Sequence, residues 1–240
     1  MKQSQFAGFP AEGIAFLRAL AKNNDREWFT PRKAIFEENV KRPMIDLVAA
    51  IHREMLRFAP EYVGEPAKCV YRIYRDTRFS KDKTPYKTQI AAYLRRNGLP
   101  KDGTAGYYFA ISPKELAIGG GLYMPPPDAL LAARHHIAAH HGEFRSTFDT
   151  RKVRKLLGDL YGEAMTRVPK GFDAGHPAAD LLKRKHWFLY AELDPKLAVS
   201  PGLVKEIVRR FEAMAPLVEF LNRPLLAQEK KKAREERFFV

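Results

Sequence analysis

The chain is predicted to be an α+β protein, with an antiparallel sheet of about four to six strands in mid-chain and helices from both ends backing it. Three observations predict this. Apolar residues recur at helical spacing from Ile14 to Leu56 and again from Leu203 to Leu217. Between Cys69 and Ile118 the period changes to two. The connections inside that stretch are short, which suits sequential antiparallel strands and not parallel crossovers.

Taken in order, Pro10 opens a helix with Ile14, Phe16, Leu17 and Leu20 on one face, ending near Asn23 and Asn24. Asp25 can cap a short turn carrying Trp28 and Phe29, and Thr30-Pro31 starts another with Ile35, Phe36 and Val40 inward. A helix after Pro43 turns Ile45, Leu47, Val48, Ile51, Met55 and Leu56 inward, until Ala59-Pro60 ends it. Strands follow from Cys69 to Arg75, around Gln89–Leu94, around Tyr107–Ile111 and at Leu116–Ile118. Turns lie at Pro100–Gly103 and Ser112–Glu115. Gly119-Gly120-Gly121 closes the last of these strands, and Asp128 is a candidate N-cap for a helix through Leu130, Leu131 and Ile137. Helices are expected at Phe144–Phe148, Val153–Tyr161 and Ala178–Leu182, with a strand at His186–Glu192. Pro201 begins a final helix that Pro216 can kink. We expect one domain over residues 1–225 and a charged tail over 226–240.

The 240 residues carry 42 Lys and Arg against 28 Asp and Glu, a formal charge of +14. The last thirteen residues hold five cations and three glutamates, so the body retains +12. That balance favours acidic partners such as nucleic acid, nucleotides, phosphorylated metabolites or an anionic membrane surface. The one cysteine, Cys69, excludes an intramolecular disulfide and fits a reducing compartment. No apolar run reaches membrane-span or signal-peptide length, so a cytoplasmic protein without a membrane partner is expected.

The charge concentrates between Arg72 and Lys87, where Arg72, Arg75, Arg78, Lys81, Lys83 and Lys87 face only Asp76 and Asp82. A basic turn between strand-like runs reads as an anion site, because guanidinium forks grip phosphate or carboxylate and lysines add point charge. The competing reading is an Arg–Asp network that only locks the hairpin. If chemistry occurs there, Asp76 or Tyr86 is the candidate proton-transfer group, but no complete catalytic constellation is present.

The pattern Arg-x-x-Arg-Asp-x-Arg-Phe followed by Lys-x-Pro-Tyr is met by Arg72, Arg75, Asp76, Arg78, Phe79, Lys83, Pro85 and Tyr86. It resembles the signature of an uncharacterised, mostly bacterial family catalogued as domain of unknown function 2461. The resemblance runs from Phe9 to about Pro224 and takes in Asn24, Trp28, Phe29 and the triple glycine. It implies the extent of the domain and the importance of the basic turn, and it lends no reaction.

Other candidates stand beside the turn. Gly119, Gly120 and Gly121 could present backbone N–H groups to a phosphate, with Arg134 reaching back from the next helix, or could merely permit close packing. Ser80-Lys81-Asp82-Lys83 matches the Ser-x-x-Lys of penicillin-recognising enzymes but lacks its companion motifs. His135, His136, His140 and His141 crowd one helix without a His-Glu-x-x-His pattern, so no metal is expected; no cofactor is expected either. Cys69 reads as a packed strand residue. Tyr71, Tyr74, Phe79, Tyr86, Tyr93, Tyr107 and Tyr108 interleave with the cations as in single-stranded nucleic-acid platforms, though tyrosines are also ordinary on half-buried sheets. The leading expectation is a small phosphate- or carboxylate-bearing ligand at Arg72, Arg75, Arg78, Lys83 and Lys87. A nucleic-acid module is the first alternative, with binding expected to be weak and reversed by salt. A structural or partner-binding protein is the second.

Overall fold

The computed structural model describes residues 6–238, which fall into two compact units. The first takes residues up to Leu94 with Tyr108–Ile118 and Glu192–Arg209. The second takes Arg95–Tyr107, Gly119–Ala191 and the chain from Arg210.

In the first unit, α1 (Ala11–Lys22) buries Ile14, Phe16, Leu17 and Leu20, the face its periodicity predicts. The Asp25 carboxylate accepts the Trp28 N–H at 2.7 Å and starts α2 (Arg26–Phe29). A 3₁₀ turn at Thr30–Arg32, α3 (Lys33–Phe36) and a π-helical stretch at Glu37–Lys41 lead into α4 (Arg42–Met55). These changes of pitch rotate Ile35 outward, and α4 ends one residue before Leu56. Both side chains, expected inside, are exposed. Phe29 and Phe36 pack with centroids 5.6 Å apart, and Phe16 lies 6.3 and 6.0 Å from them. Gly13 is required here because a Cβ would overlap the Asn39 carbonyl of the π-helical stretch.

The strand expected from Cys69 does not form as such. Pro66 supplies a first helical turn, so Cys69 is the last residue of α5 (Pro66–Cys69). Beyond it the backbone is extended but paired only at isolated bridges, Val70 with Ala92 and Tyr74 with Tyr86. The reason is register: Tyr71 N–H bonds the Ala91 carbonyl whereas Lys87 N–H bonds the Ile73 carbonyl. The returning arm thus holds two extra residues, a bulge that interrupts the ladder. Regular pairing begins at β1 (Ile90–Arg95), followed by β2 (Gly106–Ile111) and β3 (Leu116–Leu122). The β2–β3 turn closes as predicted, with Ser112 N–H donating to the Glu115 carbonyl at 3.0 Å.

In the second unit, α6 (Pro127–Ala139) has Pro126 at its N-cap, which places Asp128 in the first turn and not at the cap. Leu131 is exposed, against expectation. The chain breaks at His140 before α7 (His141–Phe148), so the four histidines do not share one helix. After α8 (Arg151–Leu157) the residues expected to prolong the helix become β4 (Leu160–Tyr161), because Gly158 takes a φ of 71° that ends it. Then come α9 (Ala179–Leu182), β5 (Trp187–Leu193) with Trp187, Phe188 and Leu189 buried as predicted, and α10 (Leu203–Phe238). Helix α10 continues through Pro216 and Pro224 and passes from one unit into the other. The expected tail over 226–240 continues this helix as far as Phe238. Residues 239–240 and the side chains of Lys230, Lys232, Arg234 and Arg237 lie outside the described residues.

The sheet is antiparallel and five-stranded, in the order β1-β2-β3-β5-β4. It reaches past the stretch ending at Ile118, because β5 pairs with β3 and β4 with β5. No helix among the described residues is long and apolar enough to cross a membrane.

Candidate site at the basic hairpin

Two arms, Val70–Arg75 and 85–92, carry Arg72, Arg75 and Lys87, and the turn between them carries Arg78, Lys81 and Lys83 with both carboxylates. Its carboxylates are both engaged locally. Asp76 receives a two-pronged contact from Arg78, Nε at 3.0 Å and Nη2 at 2.8 Å, and also accepts the Arg78 backbone N–H. Asp82 accepts the Thr84 N–H at 2.9 Å and the Thr84 hydroxyl at 2.8 Å, an Asx-type turn, and receives Arg75 Nη1 at 2.5 Å. Arg75 also donates to the Thr84 carbonyl at 3.1 Å and to the Thr84 hydroxyl oxygen. The Arg78 side chain and the Arg78 backbone N–H hold Asp76 down at about 2. The Thr84 backbone, then Arg75 and the Thr84 hydroxyl, do the same for Asp82, also at about 2. A carboxylate held this far below neutrality is a weak general base.

These pairs leave four cations. Lys83 Nζ donates to the Thr77 carbonyl at 2.9 Å, and Lys87 Nζ lies 5.1 Å from the centre of the Tyr71 ring. Among the described residues no carboxylate pairs with Arg72, Lys81, Lys83 or Lys87. Burial, with the positive charge of Arg72 added, pushes Lys87 below the ordinary lysine range. Two cations therefore crowd one flank of the hairpin without a counter-charge.

Tyr86 is buried and stacked on Phe29 at 4.2 Å, so its ring is part of the first unit's aromatic core. Burial first, and Tyr74 second, raise its hydroxyl above the usual tyrosine value. The Asn24 amide ties this point down: its Nδ2 donates to the Tyr86 carbonyl at 2.9 Å and its Oδ1 accepts the Tyr86 N–H at 3.0 Å. One side chain thereby acts as a one-residue strand. The role of Asn24, and that of Thr84, escaped the reading of spacing alone. The legible signal for Thr84 was an aspartate two residues before it.

The glycines lie within β3 and not in a turn, and all three are buried. A Cβ at Gly119 would come within 2.5 Å of the Phe188 ring, and one at Gly120 would overlap Met214 Sδ. At Gly121, φ is +127° and a Cβ would overlap the Trp187 carbonyl oxygen. Close packing accounts for each. Arg134 is buried as well, donating from Nε to the Leu182 carbonyl and from Nη2 to the Arg184 carbonyl, both at 3.0 Å. The histidines pair as rings, His136 with His140 at 4.8 Å, and no group of three or more His, Cys, Asp or Glu suited to a metal occurs among the described residues. Cys69 Sγ is 4.0 Å from Nε2 of His52, a buried histidine 17 residues earlier that the fold brings to it.

The fold and this hairpin define an α+β protein with a basic, internally braced turn. The chain belongs to a family described as conserved hypothetical protein, DUF2461, whose model matches residues 12–220 and so takes in the whole hairpin. No curated protein and no solved structure matches the chain.

Proposed function

We propose that the chain binds a phosphate- or carboxylate-bearing anion on the flank of the hairpin. The observation that carries this reading is the pair Arg72 and Lys87, two cations near enough for one to depress the other and, among the described residues, paired with no carboxylate. An anion there relieves the repulsion and the cost of keeping Lys87 charged. Arg72 and Lys87 are the first contacts, and Lys83 is next along the hairpin. Arg75 and Arg78 are braced by Asp82 and Asp76, and each can offer a guanidinium edge not used by its partner. The glycines and Arg134 are not assigned a part.

Thermal unfolding with inorganic phosphate, citrate and nucleotides tests the reading, since a ligand bound only by the folded state raises the melting temperature. A rise of several degrees at about 10 mM is expected, lost in the Arg72→Ala/Lys87→Met double variant. It should weaken with rising pH sooner than an ordinary lysine would dictate, because Lys87 gives up its proton early. No shift with any anion would refute the proposal.

A second reading has its own observation. Both carboxylates bind arginines within the turn, which is what a purely structural brace requires. If the hairpin is only a brace, the double variant behaves like the parent in every anion.

A further inference from the structure

The rings of the hairpin divide sharply. Tyr86 is buried, but Tyr71 is 44% exposed, Tyr74 45% and Phe79 96%. Phe79 sits in the turn itself, with its apolar ring open to water. Each of the first and last has a cation at its face: Lys87 Nζ is 5.1 Å from Tyr71, and the Arg78 guanidinium is 5.8 Å from Phe79. Tyr74 is fixed from behind, 5.5 Å from Tyr86 and edge-on to Phe29 at 6.4 Å, so its exposed side is presented without freedom to collapse. In the same unit Arg32 lies 4.8 Å over Trp28, whose neighbour Phe29 supports Tyr74.

We propose that this hairpin is a platform for single-stranded nucleic acid, an inference that rests on the anion reading above and names the anion as a run of backbone phosphates. The physical requirement is a repeat of ring and positive charge, because each nucleotide offers one base face and one phosphate. Tyr71, Tyr74 and Phe79 supply the faces; Arg72, Lys81 and Lys87 supply charge that no carboxylate of the described residues neutralises. A small anion would leave the rings without purpose. A duplex would hide its base faces, and a lipid surface calls for apolar groups gathered at the tip, whereas two of these three rings lie along an arm. The exposure of the rings reverses the order in which spacing alone had placed the ligand classes.

The test uses the full chain and a labelled oligodeoxythymidylate of about 20 nucleotides, titrated by fluorescence anisotropy at about 150 mM salt and across a salt series. Micromolar or tighter binding is expected at that salt. Phe79→Ala, which removes an exposed ring outside the core, should weaken it at least about fivefold and leave the salt slope unchanged. Lys87→Met should instead lower the slope, by about 0.7 for one phosphate contact. Equal affinity for a duplex of the same length would overturn the proposal. So would an unchanged affinity in Phe79→Ala, or Phe79-dependent capture by phosphatidylserine vesicles with no oligonucleotide binding. Inorganic phosphate in the thermal assay separates the two readings. If phosphate stabilises the chain and Phe79→Ala is silent, only the nucleic-acid inference fails; if neither phosphate nor oligonucleotide binds, both fail.

Discussion

The basic hairpin and the glycine strand β3 were the two stretches whose composition suggested an anion, and they are built on opposite principles. In the hairpin each carboxylate finds an arginine within a few residues, at positions open to water: the Arg78 side chain is 77% exposed and that of Arg75 26%. In β3 there is no polar side chain from Leu116 to Leu122, and the absence of Cβ atoms is what lets Phe188, Trp187 and Met214 approach. The difference shows that a run of one residue type gains its meaning from what lies across from it. Glycines opposite bulky residues are space; cations in excess of their local partners are charge seeking company.

The largest expected effect breaks the packing side of the comparison. Gly121→Ala must overcome both a positive φ and overlap with the Trp187 carbonyl, each costing about 1–3 kcal/mol, so its urea midpoint should fall steeply. Gly98 has a φ of +76° with nothing within 4 Å of a new Cβ, so Gly98→Ala isolates the backbone term at about 1 kcal/mol. Gly142 lies in α7 with open space around it, and Gly142→Ala should stabilise by up to about 1 kcal/mol. If Gly121→Ala costs no more than Gly98→Ala, close packing is not the reason for the glycine run.

Next in size is the tether between α1 and the hairpin. Asn24→Ala removes both hydrogen bonds to the Tyr86 backbone and leaves two peptide groups without partners, at a cost of about 1–3 kcal/mol. Asn24→Asp keeps the acceptor and loses the donor, and should fall between. Equal stability of all three chains, read from urea midpoints, would mean that the hairpin is held by Tyr86 stacking on Phe29 alone.

Much of this was legible in the residues, for reasons that can be named. Periodicity found α1, β1, β2, β3 and β5, although β3 is buried at every position and so on both faces. It erred where the chain changes pitch, at the 3₁₀ and π-helical turns that rotate Ile35 outward. It erred again where two extra residues in the returning arm reduce a strand to isolated bridges. The candidate site was legible as a charge excess, since charges can be counted along the chain. What spacing could not supply was pairing over distance: Asn24 on Tyr86, 62 residues away, or His52 beside Cys69. Nor could it tell a buried tyrosine from an exposed one, which separates Tyr86 from Tyr74.

The smallest effects sharpen the electrostatic side, because the pairs are exposed and water screens them. Asp76 and Asp82 both titrate at about 2 in the folded chain against an ordinary value of 3.8. Their folded values are depressed, so their contribution to stability is complete above about pH 4 and is lost as the pH falls toward 2. The two carboxylates should nevertheless answer differently to losing their arginines. The Arg78 side chain is the main cause at Asp76, so Arg78→Ala should return Asp76 most of the way to the ordinary value. At Asp82 the Thr84 backbone N–H is the main cause and it survives Arg75→Ala, so Asp82 should move less. Carboxyl carbon NMR titration reads both midpoints directly, and urea midpoints between pH 5 and pH 2 should show a correspondingly shallower acid loss in Arg78→Ala than in Arg75→Ala. Midpoints that stay at about 2 in both variants would mean that neither arginine is engaged by its carboxylate in solution. Arg75 and Arg78 would then join the cations left for an external anion, and the brace reading would lose its one supporting observation.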